Sequence, residues 1–221
     1  MKHNVATRTE QDHRPDAAPA IDLRFRALLP AEDWAKLPAA IQRRFSKRLA
    51  DGATSIYVGE VREMHVSRLG WLLTHALRLI GGPLPTALAE NVPSVVTVTE
   101  DMATGGQIWT RLYVRRNGFP QVIHSSKRFA GPTGLEEYVG FGIGMALTIS
   151  VVNATLVFRS KNYFVQIGMR RIPLPSWLTP GTIVVSHKEL GADRFLFTLE
   201  VVHPRFGLLV RQSAAFRESH P

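Results

Sequence analysis

The stretch SVVTVTEDMATGGQIWTRLYVRRNGFPQVIHSSKR, residues 94–128, decides the fold class. Val96 and Val98 alternate with Thr97 and Thr99, the period of two that sends successive side chains to opposite faces of a strand. Ala103-Thr104-Gly105-Gly106 reads as a turn. Ile108, Leu112 and Val114 then alternate with Trp109, Arg111, Tyr113 and Arg115. Asn117-Gly118 is a strong hairpin signal, because a tight type I′ turn needs positive φ at both central residues. Gln121–Arg128 follows as a strand of more polar pattern. Strands joined by such short turns are antiparallel.

The same alternation continues toward the C-terminus. Strands are expected at Leu135–Val139, Met145–Val152, Ala154–Arg159, Tyr163–Met169, Thr182–Glu189, Phe195–His203 and Leu208–Phe216. Turn-like separators lie between them, among them Val152-Asn153, Lys161-Asn162, Gly191-Ala192-Asp193 and His203-Pro204-Arg205-Phe206-Gly207. No helical pattern intervenes to cover a parallel sheet. A meander this long must curl, split or close to dispose of its edges. The expected fold is mainly β with minor α: a strongly curved antiparallel meander or β-barrel with two N-terminal helices packed on it.

Toward the N-terminus the period lengthens. Ile41, Phe45 and Leu49, four apart, share one face of a helix whose first turn takes Pro38, while Arg44, Lys47 and Arg48 fall mostly on the other side. Asp51-Gly52 stops that helix, and Ser55–Ser67 reads as a strand. Leu69, Leu72, Leu73, Ala76, Leu77 and Ile80 recur at helical spacing and predict a stripe packed onto the sheet, ended by Gly81-Gly82-Pro83. Residues 1–22 are expected to form a flexible tail, and 23–221 one β-rich domain.

Composition excludes several chemistries. The chain has no cysteine, hence no disulfide, thiolate nucleophile or Cys-based metal site. Its 27 Lys and Arg against 18 Asp and Glu leave a net charge of +9. That balance suits an anionic membrane or nucleic acid, but the charges are spread along the chain, which disfavours dedicated nucleic-acid binding. The leucine-rich helix, with Arg68, His75 and Arg78 on its polar face, allows peripheral membrane contact and is too short to span a bilayer. The first twenty residues hold no apolar signal run, so a cytoplasmic address is expected.

Trp109, Arg111 and Tyr113 share one strand face. Inside a barrel they would hold an apolar ligand with an anionic group; on an outer face they would cover a helix or meet solvent, with Arg stacked on Trp. Glu136 and Glu137 point to opposite faces of a strand and cannot form a carboxylate pair by themselves. An inward glutamate facing Arg111 or Arg159 would be a buried ion pair. His203 precedes a tight turn, where a histidine more often caps than catalyses. No histidine pair has metal-ligand spacing, and Ser125 and Ser126 lack a nucleophile-elbow setting, so neither metal nor cofactor is expected.

The ordered pieces also carry a resemblance. They are Gly59-Glu60-Val61, the helix ending Gly82-Pro83-Leu84-Pro85, Gln107-Ile108-Trp109-Thr110-Arg111 with Ser125 in the next strand, and Leu135-Glu136-Glu137-Tyr138. Ile172-Pro173-Leu174-Pro175, Trp177-Leu178-Thr179-Pro180, and Phe195, Phe197 and Val201-Val202-His203-Pro204 with Gly207 complete the series. From about Leu37 to Phe216 the pattern resembles a bacterial family, domain of unknown function 4166. Gln107 stands where that family often has an acid, and Gln212–Ala214 lacks its Tyr-x-Gly. The resemblance implies no established reaction. Its domains often accompany NAD-binding, saccharopine-dehydrogenase-like or epimerase-like modules, which implies an oxidoreductase partner protein. Gly140-Phe141-Gly142-Ile143-Gly144 is not followed by a helix and is no dinucleotide fingerprint.

These readings favour a noncatalytic domain that binds an apolar or lipid-like small molecule with an anionic group through Trp109, Arg111, Tyr113, Ser125, Glu136, Glu137 and His203. One alternative is an enzyme or accessory domain of redox or lipid metabolism, in which Arg111, a glutamate and His203 would converge. The other is a basic module for anionic membrane or nucleic acid.

Overall fold

A computed structural model of the chain describes residues 21–50, 52–86 and 89–219. The expected tail lies outside the described residues up to residue 20. Of its last two positions, Ile21 bridges Lys47 and the Asp22 amide donates to the Ser46 carbonyl at 2.7 Å.

Three short helices come first: α1 (Arg24–Ala27), α2 (Ala31–Ala35) and α3 (Ala39–Phe45). Pro38 caps α3 from outside its first turn, and Leu49 lies beyond its end, yet Ile41, Phe45 and Leu49 are all buried as the spacing predicts. Then follow β1 (Thr54–Val66), α4 (Arg68–Ala76) with a 3₁₀ turn at Leu77–Ile80, β2 (Pro93–Asp101), β3 (Gly106–Tyr113), β4 (Gln121–Arg128), β5 (Glu136–Gly140) and β6 (Ile143–Val152). The last strands are β7 (Thr155–Ile167), β8 (Arg170–Pro173), β9 (Thr182–Gly191), β10 (Arg194–His203) and β11 (Gly207–Ser219).

All pairings are antiparallel, in the order β6-β5-β4-β3-β2-β1-β11-β10-β9-β7, and β6 pairs again with β7 to close a ten-stranded barrel. Closure removes the exposed edges that an open meander would present. β7 is shared: its first half pairs with β9 and its second half with β8, which hangs outside the ring.

Two local expectations need correction. Lys161-Asn162 is not a turn. β7 runs straight through it, because Met145 pairs with Tyr163 and Leu147 with Ser160, leaving two residues opposite Ala146 in a bulge. The leucine stripe does not bury as a unit either. α4 packs through Gly70, Leu73 and Thr74, while Leu69, Trp71 and Leu72 are exposed. Gly70 sets this orientation, since a Cβ there would stand 2.0 Å from the Leu209 carbonyl oxygen.

The barrel has two unlike ends. At one, α1–α3 form a plug: Phe25 and Phe45 meet Phe158 edge-on or tilted, and Phe25 also meets Phe129. At the other, α4 and the Leu77–Ile80 turn lie over part of the opening, where Leu73 and Leu77 pack against Leu84, Val201 and Leu209. Plug and lid leave the space between them to the inward strand residues.

Candidate functional site

Alternation on β3 sends Gln107, Trp109, Arg111 and Tyr113 inward, and on β4 it sends Ile123, Ser125 and Lys127 inward. β5 contributes Glu137. The register sets Lys127 opposite Glu137, and Trp109 opposite Ser125. A polar layer therefore crosses an otherwise apolar barrel.

In that layer the Lys127 ammonium lies 3.1 Å from Glu137 Oε1, and the Arg111 guanidinium 3.8 Å from the same oxygen. Arg111 also donates to Ser125 Oγ at 3.1 Å. Trp109 donates its indole N–H to Gln107 Oε1 at 3.2 Å, and the Lys127 ammonium sits 5.0 Å from the Trp109 ring centre. Burial alone would raise the Glu137 carboxyl, but Lys127, Arg111 and the Ser125 hydroxyl hold it below the usual carboxylate range. Burial pulls the Lys127 ammonium down; Arg111 adds to that and Glu137 opposes it. Among the described residues Glu137 is the only carboxylate within ion-pair distance of either cation. Two buried cations thus share one anion.

Above this layer, toward the lid, lies a cavity of about 130 Å³. Arg111 and Glu137 form its polar floor. Tyr113, Met145, Val185 and Phe197 belong to its wall, with Leu77 and Ile80 on one side of the mouth and Leu174 and Leu178 on the other. Tyr163 also lines it, and its phenol is pushed up to about 12 by burial. Burial likewise raises the Tyr113 phenol, with Arg111 opposing. Below the layer, toward the plug, His187 sits among Phe45, Phe158, Phe195, Phe197 and Trp109. Burial first, then Arg44, Lys127 and Arg111, keep that imidazole neutral.

The structure brings Trp109, Arg111, Tyr113, Ser125 and Glu137 into one interior. Glu136 and His203 do not join them. Glu136 faces outward, fully buried under β8, where it pairs with Arg171 and accepts from the Tyr138 hydroxyl at 3.1 Å. His203 accepts from the Arg205 amide at 3.2 Å and stacks on Phe206, as a turn-capping histidine does. The convergence of Arg111, a glutamate and His203 that an enzyme reading asked for is absent from the cavity lining. Sequence reasoning missed Lys127, although it lies two residues beyond Ser125 on the same strand face. It also missed Leu174 and Leu178, whose place at the mouth depends on β8, a strand too short and arginine-rich to signal itself.

No group of His, Asp and Glu suited to a metal ion occurs among the described residues, and no described helix is long and apolar enough to cross a membrane. The model of a family described as a domain of unknown function (DUF4166) matches residues 37–216. No curated protein and no solved structure matches the chain.

Proposed function

The chain belongs to the family of domain of unknown function 4166, whose description names no reaction, and we propose from the cavity's own chemistry that the barrel binds an apolar small molecule with an anionic head, such as a fatty acid. The observation that carries this reading is the position of Arg111. Its guanidinium forms the floor of an apolar cavity, and the layer it belongs to holds more buried positive than negative charge. A buried charge without a full partner is costly, and a ligand carboxylate would supply the missing one.

The ligand's tail would run past Tyr113, Met145, Val185 and Phe197 toward the mouth, replacing water with apolar contact. The role is noncatalytic. Glu137 is held ionised between two cations, which suits a fixed counter-charge and not a proton donor.

The direct test is native mass spectrometry of the purified protein, followed by denaturing extraction and identification of what is released. A stoichiometric acidic amphiphile is expected, and Arg111→Leu should lose it. An apo mass, combined with no displacement of a fluorescent fatty acid on titration, would reject the reading.

A further inference from the structure

In a strictly antiparallel ring, successive connections alternate between the two ends. The cavity opens at the end that carries the β1–β2, β3–β4, β5–β6, β7–β8, β8–β9 and β10–β11 connections. Neighbouring ones touch: the Arg115 guanidinium donates to Thr86 Oγ1 at 2.7 Å, and Gln121 Nε2 donates to the Leu84 carbonyl at 3.1 Å. These bonds join the β1–β2 and β3–β4 connections, and the six connections together make the rim of this end.

Each of these connections carries an exposed large apolar side chain. They are Leu79, Phe119, Phe141, Met169, Trp177 and Phe206, with Leu79 84%, Phe119 92% and Trp177 77% exposed. Leu178, beside Trp177, is exposed and also lines the cavity, so the apolar surface is continuous from rim to interior. Arginines stand between them: Arg68, Arg78, Arg115, Arg116, Arg170 and Arg205. None of these six makes an ion pair among the described residues. The same connections contain one described acid, Glu90, which accepts from the Met64 amide.

The plug end differs in charge. It too exposes apolar side chains, Ile21 and Met102 among them, and unpaired arginines, Arg26, Arg43, Arg48 and Arg194, but acids stand among these and none of its exposed large apolar side chains is aromatic. Arg24 pairs with Asp22, Lys36 with Asp33, Arg44 with Glu189 and Lys47 with Glu218. Protruding aromatic tips confined to one end, with six unpaired arginines and a single described acid among them, suit a surface that is anionic on the outside and apolar just beneath. We infer that the rim docks on an anionic phospholipid bilayer, with Phe119, Trp177 and Phe206 entering the headgroup boundary and the arginines meeting lipid phosphates. The cavity mouth then faces the acyl region, so that an apolar ligand would pass between membrane and barrel without crossing water.

The experiment is cosedimentation of the full chain with phosphatidylcholine vesicles that contain or lack phosphatidylglycerol, at low and high salt. Binding is expected only with phosphatidylglycerol, falling as salt rises. Arg116→Glu combined with Arg205→Glu should lower partitioning by about tenfold or more. Phe119→Ser combined with Trp177→Ser should do the same, whereas Met102→Ser at the plug end should bind as the parent does. These positions are exposed, and circular dichroism of each variant checks that the fold persists. Brominated lipid should quench the exposed Trp71 and Trp177 at the rim and leave the buried Trp34 and Trp109 unquenched. The inference fails if the parent ignores anionic vesicles at low salt, if the rim variants bind normally, or if duplex DNA and not vesicles proves to be what the arginines hold. Arg111→Leu, inside the barrel, should keep vesicle binding, so loss of the ligand reading leaves this one separately testable.

Discussion

Arg111 on β3 and Glu137 on β5 meet over the inner face of β4 at 3.8 Å, while the same carboxylate oxygen is only 3.1 Å from Lys127. Glu137 is therefore committed first to Lys127, and Arg111 holds its charge mainly against a neutral serine hydroxyl. The two cations should answer differently to removal.

Replacing Arg111 with leucine should cost little stability, within about 1 kcal/mol, because Glu137 keeps Lys127 as its partner. The same substitution should weaken binding of a fatty acid at least about tenfold, the worth of a charge-assisted contact. Urea denaturation and fluorescent-ligand displacement on one preparation give both numbers. A large stability loss with unchanged displacement would make Arg111 a structural residue.

Glu137→Gln should be the damaging substitution at this layer. It leaves Lys127 and Arg111 buried together without an anion, and loss of one partner from a buried pair typically costs about 3–5 kcal/mol. Chemical denaturation should show the loss, and Lys127→Met in the same chain should recover part of it. An unaltered Glu137→Gln midpoint would mean that water reaches the layer and screens it.

His187 gives the fold a mild acid sensitivity. Its ring is kept neutral in the folded protein, with burial the leading cause, whereas the unfolded chain takes a proton near 6.5. Below that pH the unfolded state binds the extra proton, so stability falls by about 1.4 kcal/mol per pH unit until the folded ring also titrates. Glu137, depressed when folded, adds its own loss only as pH drops below its unfolded value of 4.5. His187→Phe, set among Phe45, Phe158, Phe195 and Phe197, should abolish the slope between these two values. Denaturation midpoints measured across that window decide it, and a slope retained in the variant would assign the effect elsewhere.

Local alternation carried most of this architecture in the sequence. Trp109, Arg111 and Tyr113 share a face because they are two apart, and Glu136 and Glu137 must part because they are adjacent. What alternation cannot state is which strand lies opposite. Glu137 meets Lys127 only through the β4–β5 register, and His187 enters the aromatic plug only through the β7–β9 pairing that helps close the ring. Lys161-Asn162 looks like a turn because its residues favour turns; a bulge uses the same backbone freedom without ending the strand. The α4 stripe misled for another reason. Gly70 and Thr74, both small, make the close contact beside Leu73, so Leu69 and Leu72 are left exposed.

Filling the cavity separates packing from binding. Val185 lies on β9, inward and buried, and borders both the cavity and the aromatic layer. If the cavity of about 130 Å³ is kept open for a ligand, its empty state costs stability, and Val185→Phe should regain about 1 kcal/mol by occupying part of it. The same ring would occupy the ligand's path and lower affinity about tenfold or more. A site built for function predicts these opposite signs, the stability it forgoes being recovered when the function is blocked. Thermal denaturation with and without fatty acid reads both at once: the variant's midpoint should rise in the absence of ligand and gain nothing from its addition. If Val185→Phe instead lowers the midpoint and binding together, the void is too small to accept a side chain, and the ligand must approach Arg111 by a different route. If the midpoint rises while ligand still stabilises the variant as it does the parent, the amphiphile is held outside the barrel, and Arg111 is not its counter-charge.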